Sequence, residues 1–296
     1  MDVGRYFWIF VLLGIALGLF LPGPGTLIKP FVLPLLALLM LLSSLSINLG
    51  EMKHCARDWR TTLFVLFVQF VLVGATAYIF NGFFPSEVFL GLVIIAVAPS
   101  AIATTFLSEL FGGSAALALP LTTLSNLLSV VLTPLLVAVF AGAQVSVNPL
   151  GIAQTIALAV VLPFLAAKLV VARIPSLEKP LLTHGHGINT VIIALLMWGT
   201  IAPSAAFIFA NTQLMLWLVI PGLAFCAVPF VVGWLYGKNR EESITIGVTS
   251  SVKNTALGIT LASGFGAATI AGPVVYTVLS NALLAVLQLV LRKGNK

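Results

Sequence analysis

Two polar runs stand inside otherwise apolar stretches of the chain. The first is Pro99-Ser100-Ala101-Ile102-Ala103-Thr104-Thr105, which follows the apolar residues Val88 to Ala98. The second is Thr249-Ser250-Ser251-Val252-Lys253-Asn254-Thr255. Proline removes a backbone donor and clashes with the preceding helical turn. Serine, threonine and asparagine compete for local backbone hydrogen bonds. Both runs therefore read as breaks in a helix. Lys253 is the most informative residue, because an ammonium at the centre of a membrane helix costs roughly 2.5–3.5 kcal/mol. Snorkelling serves lysines near helix ends, and Lys253 lies about midway along its stretch. A broken helix supplies a reason for a cation. The C-terminal ends of the first half-helices are partially negative and would lie beside Lys253. The N-termini of the second half-helices are partially positive and would favour an anionic group. The chemistry these residues suit is anion binding. Hydrolysis fits less well, since it calls for a base beside a nucleophile. No His, Asp or Glu lies deep in a span near Ser100, Ser250 or Ser251, which leaves a Ser–Lys pair as the one enzymatic option. An enzyme is not expected.

The elements that must position these residues are membrane helices. Of 296 residues, 60% are hydrophobic and 7% charged, against about a quarter charged in soluble domains. Apolar runs of about 20 residues recur from end to end, each long enough to span a bilayer. We read ten spans, at 6–21, 27–49, 60–81, 86–111, 114–141, 149–172, 185–210, 214–236, 241–263 and 268–291. The first ends in Pro22-Gly23-Pro24-Gly25, so it reads as a span and not a cleaved signal. Twelve basic residues fall on one side: Arg5, Lys53, Arg57, Arg60, Lys168, Arg173, Lys179, Lys238, Arg240, Arg292, Lys293 and Lys296. Lys29 falls on the other. This asymmetry places both termini in the cytoplasm. It also accounts for the net charge of +6 without nucleic acid.

The chain repeats itself at a spacing of about 155 residues. Leu124-Ser125-Asn126 in span five matches Leu279-Ser280-Asn281 in span ten. Phe111-Gly112-Gly113 matches Phe265-Gly266-Ala267, and Ala37-Leu38-Leu39-Met40 matches Ala194-Leu195-Leu196-Met197. The spacing sets Asn254 opposite Pro99, so the two interruptions correspond. Residues 1–141 and 142–296 then form two five-helix repeats. An odd number of spans per half inverts the second, as in many secondary transporters, where paired interruptions mark the transport site.

Other polar residues within spans are candidates to line a cavity or to join helices: Gln69 in span three, Thr122, Ser125, Asn126 and Ser129 in span five, and Ser280 and Asn281 in span ten. His184 and His186, with Asn189, begin span seven. One residue apart on a helix, the two histidines point in different directions, and Cys55 and Cys226 have no ligand spacing. No metal is expected beyond sodium.

At these residues the sequence resembles the bile acid:sodium symporter family, including its bacterial homologues, over nearly the whole chain. The resemblance implies an all-α membrane protein of ten helices in two inverted repeats, with discontinuous helices four and nine crossing near the midplane. The family's Pro-Gly-Gly-Thr-Ala-Ser-Asn-like stretch corresponds to Pro99 to Thr105. Its glutamine in span three corresponds to Gln69. In span nine its glutamate is Thr249, and its Gln-Asn pair is Lys253-Asn254. The resemblance implies two sodium sites near the crossing. For the first, the family's ligands map to Thr104, Thr105, Ala118, Thr122 and Thr249, with no carboxylate left. For the second, its span-nine glutamine is Lys253, whose ammonium would repel sodium. Two sodium ions and a glutamate carry the same net charge as one lysine.

The expected function is alternating-access transport of a small or amphipathic organic anion, bile-acid-like or a carboxylate. Pro99, Ser100, Thr104, Thr105, Lys253, Asn254 and Thr255 would bind substrate or hold the crossing. Gln69, Thr104, Thr105, Thr122, Thr249 and Lys253 are the ion-coupling candidates. Lys253 would replace bound sodium, making transport sodium-independent: facilitated, exchange, or proton-coupled with Lys253 itself carrying the proton. Sodium symport retained through backbone and hydroxyl ligands is the alternative. An anion channel is the alternative of another class, and it would need a continuous hydrophilic pore. No cofactor is expected; sodium is a weaker option and a proton an open one. The expected partners are the anion and the lipid bilayer, in a bacterial inner membrane, with oligomeric state left open.

Overall fold

The structure, a computed structural model, describes residues 7–45, 47, 49–52, 57–142, 145–174, 176 and 178–292. Arg5, Lys53, Cys55, Lys293 and Lys296 lie outside these, as do the side chains of Lys179, His184, His186 and Arg292.

The described residues are almost entirely helical. In chain order the helices are α1 (Phe7–Phe20), α2 (Pro22–Ile28), α3 (Val32–Leu45), α4 (Trp59–Leu66), α5 (Val73–Tyr78), α6 (Ser86–Ala96), α7 (Thr104–Leu110) and α8 (Ala115–Ala141). There follow α9 (Pro149–Ile156), α10 (Leu162–Arg173), α11 (Glu178–Ile201), α12 (Ala205–Ala210), α13 (Thr212–Trp217), α14 (Val219–Tyr236), α15 (Arg240–Ser251), α16 (Thr255–Ser263) and α17 (Ala271–Arg292). Several of these join end to end. By length and composition, six stretches can cross a membrane: Pro22–Leu45, Trp59–Tyr78, Ala115–Ala141, Pro149–Arg173, Gly187–Ala210 and Thr212–Tyr236. Ile9–Phe20, Ser86–Ala96 and Ala271–Leu284 are shorter apolar helices.

Burial follows the pattern that lipid selects. Large apolar side chains such as Leu27, Phe83, Val131, Leu216 and Leu235 are exposed, whereas Gln69, Ser100, Thr104, Ser125 and Lys253 are buried. Polar groups avoid hydrocarbon by turning inward, where they can find partners. A large apolar core, including Leu36, Val93, Ile95, Leu196, Phe225 and Leu257, joins many of the helices, and smaller clusters form around Val65 and Ile246 and around Phe111 and Val248.

Close packing and side-chain caps fix the helices that surround the interruptions. α1 approaches α11 so closely that a Cβ at Gly14 would lie 2.5 Å from the Ala194 carbonyl oxygen. Small residues at such contacts let backbones approach and gain dispersion contacts in a solvent that gives no hydrophobic drive. α11 also packs on α2 and α3, and α3 on α10. From α10, the Lys168 ammonium donates to the carbonyls of Ser44, at 2.6 Å, and Ile47. It thereby satisfies acceptors left over at the end of α3. A second group of contacts joins α14 to α15 and α17, α17 to α6, and α7 to α8 and α15.

Two stretches widen into π-helical turns, Phe67–Leu72 between α4 and α5 and Ala157–Val161 between α9 and α10. The second has a local cause. Pro163, at the start of α10, has no N–H for the carbonyl one turn before it. The first contains neither proline nor glycine, and its role becomes clear at the crossing.

Candidate functional site

Both interruptions are real breaks. α6 ends at Ala96 and α7 begins at Thr104, while α15 ends at Ser251 and α16 begins at Thr255. The links between them cross antiparallel, with Ser100 bridged to Lys253. The Ala101 N–H donates to Val252 O at 2.9 Å, and the Asn254 N–H donates to Pro99 O at 2.7 Å. Each break thus supplies the backbone partner that the other has lost, which is how non-helical backbone survives away from water. Pro99 suits its place because only its carbonyl is used. Asn254 suits its own because its Oδ1 caps α16, accepting from Leu257 N at 3.1 Å. Thr255 begins that helix and is half-buried.

α8 supplies most of the side-chain support. Ser125 Oγ accepts from Ser100 N at 3.1 Å and from Gln69 Nε2 at 2.6 Å. Asn126 Nδ2 donates to Ser100 O and to Thr122 O, each at 2.9 Å, and its Oδ1 accepts from Asn254 Nδ2 at 3.3 Å. Thr133 Oγ1 donates to Val97 O at 2.8 Å. Ser100 Oγ reaches the other interrupted helix, donating to Thr249 O at 2.6 Å. Thr104 and Thr122 share a hydrogen bond of 2.7 Å.

Lys253 is 1% exposed. Its ammonium donates to the backbone carbonyl of Gln69, within the π-helical turn Phe67–Leu72. The residue lies between the end of α15 and the start of α16, as expected from the sequence. Its ammonium reaches across to span three, where a widened turn presents a carbonyl sideways. A π turn disturbs the regular i to i−4 ladder and so leaves a carbonyl for an outside donor. An ion pair, Lys238 with Glu242 at 3.9 Å, lies elsewhere. No group of three His, Cys, Asp or Glu able to hold a metal occurs among the described residues.

Tyr276, which sequence reasoning missed, completes the crossing from α17. Its hydroxyl donates to Ser251 O at 2.5 Å and accepts from Lys253 N at 3.1 Å. One phenol thereby joins the last carbonyl of α15 to the residue carrying the buried charge. A tyrosine in the middle of an apolar stretch must find a partner for its hydroxyl, and that was the available signal.

Not every candidate reaches the crossing. Ser280 Oγ and Asn281 Nδ2 bond back to Thr277 O in their own helix, at 3.1 and 2.8 Å. Ser129 Oγ likewise donates to Asn126 O at 2.6 Å. Asn189 Nδ2 donates to Ser43 Oγ at 3.1 Å, joining α11 to α3. Around the crossing, Gln69 Oε1, Thr105 Oγ1, Ser108 Oγ, Thr249 Oγ1 and Ser250 Oγ are buried without a hydrogen-bond partner. Native proteins leave few such atoms, so each one needs an explanation.

Comparison with known proteins places the sequence among transporters. A curated relative in Bacillus subtilis (strain 168), the uncharacterized sodium-dependent transporter YocS, is 26% identical over 133 residues, covering 44% of this chain and 41% of that protein. The chain thus aligns with less than half the length of that relative. The sequence profile of the SBF-like CPA transporter family matches residues 5–291. With nearly the whole chain matched and its long apolar helices in place, this integral membrane protein belongs to the SBF-like CPA transporter family.

Proposed function

We propose that the protein is a secondary transporter of an amphipathic or small organic anion and works without sodium, Lys253 standing in for a bound cation. In this reading ten membrane helices form two inverted repeats, residues 1–141 and 142–296, with both termini cytoplasmic in a bacterial inner membrane. α1 to α3 with α9 to α11 make one body. The helices around the crossing make the other, and the two rock to expose the site alternately. The observation that carries the reading is the contact of the Lys253 ammonium with Gln69 O. The family resemblance makes the Lys253 position a ligand of the second sodium site and Gln69 an ion-coupling candidate. A tethered ammonium supplies the positive charge there without a bound ion, so no sodium gradient is needed to load it. Carbonyl oxygens suit either cation, but two cations would not share one volume.

The buried hydroxyls favour a second reading. Thr105, Ser108, Thr249 and Ser250 offer oxygens without partners, the donor type that binds hard cations. A single sodium ion could be held there without a carboxylate. An anion channel lacks comparable support, since the crossing is closed by backbone pairing and Lys253 is buried.

Proteoliposome uptake of labelled taurocholate and small carboxylates, with sodium and proton gradients varied separately, tests both. The wild type is expected to take up anion saturably and equally with or without sodium. Lys253→Gln is expected to lose uptake about a hundredfold or to become sodium-dependent. Strict sodium dependence of the wild type would overturn the role given to Lys253 and support the hydroxyl site. Non-saturating flux would support a channel.

A further inference from the structure

A cavity of about 380 Å³ opens beside Lys29. Its walls come from three places: Lys29 and Val32 at the junction of α2 and α3, Ile152 and Thr155 on α9, and Ser263 and Phe265 at and beyond the end of α16. It lies at the far end of α16 from Lys253. A nine-residue helix puts it about 13 Å from the crossing. Its size falls within the range of about 300–1,000 Å³ typical of small-ligand sites.

The lining combines one charge with apolar surface. Lys29 is exposed and contributes a cation, and none of the lining residues is acidic. Asn148, the N-cap of α9, and Gly151 in its first turn also line the cavity. The partially positive end of that helix adds to the field of Lys29. Val32, Leu33, Ile152, Leu261 and Phe265 supply an apolar wall. Lys29 is also the one basic residue that the distribution of charge assigns to the side opposite the termini.

We propose that this cavity is an outer vestibule that receives the organic anion before it reaches the crossing. Lys29 holds the anionic head group, and Val32, Ile152 and Phe265 hold the apolar body. The inference rests on the transport function proposed above and adds a second binding position to it. The placement has a mechanical consequence. α3 and α9 belong to one of the two rocking bodies and α16 to the other. Motion between them therefore widens or closes the vestibule.

A test that needs no knowledge of the natural substrate uses Ser263→Cys in a chain with Cys55→Ser and Cys226→Ser. Intact cells are treated with two membrane-impermeant methanethiosulfonates, one carrying a sulfonate and one a trimethylammonium. One unit charge roughly 8 Å away in water changes each rate about 2.4-fold, in opposite senses. Lys29→Gln is therefore expected to lower the anion-to-cation rate ratio about fivefold at low salt. The same variant is expected to raise the KM for labelled taurocholate about fivefold in proteoliposomes, with kcat unchanged. Labelling from the cytoplasmic side alone would overturn the vestibule, and so would a rate ratio that Lys29→Gln leaves unchanged while uptake is normal. Absence of uptake of any anion by the wild type, with charge-selective labelling intact, would instead overturn the transport function and, with it, the cavity's role as a vestibule.

Discussion

The triplet Leu-Ser-Asn occurs at Leu124-Ser125-Asn126 in α8 and again at Leu279-Ser280-Asn281 in α17, and the two copies behave differently. In α8 both polar side chains reach the backbone of Ser100, Asn126 while also bonding back to Thr122 O in its own helix. In α17 both turn back to the carbonyl of Thr277, and Tyr276 supports the crossing in their place. The difference follows from the lengths of the two links. Residues 97–103 separate α6 from α7, whereas residues 252–254 separate α15 from α16. The longer link exposes more backbone N–H and C=O groups than the antiparallel bridge can pair, so it needs Ser125, Asn126 and Thr133. At the shorter link a single phenol serves both Ser251 O and the Lys253 N–H. Identical residues therefore take different roles because different amounts of unpaired backbone lie within their reach.

The largest expected effect separates the two asparagines. Asn126→Ala leaves Ser100 O without that donor and Asn254 Nδ2 without its acceptor, both buried. Hydrogen bonds between membrane helices average about 0.6 kcal/mol, with a maximum near 1.7. Unpaired buried groups add roughly 1–3 kcal/mol. Asn126→Ala should thus cost about 2–3 kcal/mol, and Asn281→Ala under about 0.5 kcal/mol. Thermal unfolding of both variants in one detergent checks this. Equal losses would mean that the second copy also supports the crossing, and the comparison would fail.

Tyr276→Phe comes next, at about 1–2 kcal/mol, because it strips one partner from Ser251 O and one from Lys253 N. Its diagnostic feature is functional. If the phenol fixes the backbone at Lys253, uptake of labelled taurocholate should fall several-fold in kcat, with Ser280→Ala as an unaffected reference on the same helix. A Tyr276→Phe protein with full uptake and reduced stability would reduce Tyr276 to a helix cap.

Much of this arrangement was legible before the structure. The helix ends lie within a few residues of most of the expected span limits, because long apolar runs leave little choice in a bilayer. Both breaks were visible, because Pro99 and Lys253 violate the surrounding pattern in ways that have a physical cost. What was hidden depends on tertiary position. On sequence, Gln69 is an ion-coupling candidate through its side chain; in the structure its Nε2 donates to Ser125 and its backbone carbonyl accepts from Lys253, while its Oε1 has no partner. That outcome requires the π turn at Phe67–Leu72, which contains no proline to announce it. Tyr276 resembles any aromatic residue of an apolar helix until the rotation of α17 is known. The equal standing first given to Ser125, Asn126, Ser280 and Asn281 fails for a related reason: sequence identity does not report the length of backbone each pair must satisfy.

The smallest expected effect sharpens the contrast between the two accounts of the charge at the crossing. Thr249 donates through no hydrogen bond, yet its hydroxyl is buried, and its carbonyl already serves Ser100. Thr249→Val keeps the shape and removes only the unpartnered oxygen. Removing a polar atom that has no partner should change stability by less than about 0.5 kcal/mol, or raise it slightly. With Lys253 as the resident cation, uptake should also be unchanged, and added sodium should not stabilise wild type or variant against heat. An ion that binds only the folded state stabilises it in proportion to the logarithm of its concentration. A sodium-dependent rise in the unfolding temperature of the wild type, absent from Thr249→Val, would therefore place an ion among the hydroxyls of Thr105, Thr249 and their neighbours. It would also make the lysine an addition to sodium coupling and not its replacement.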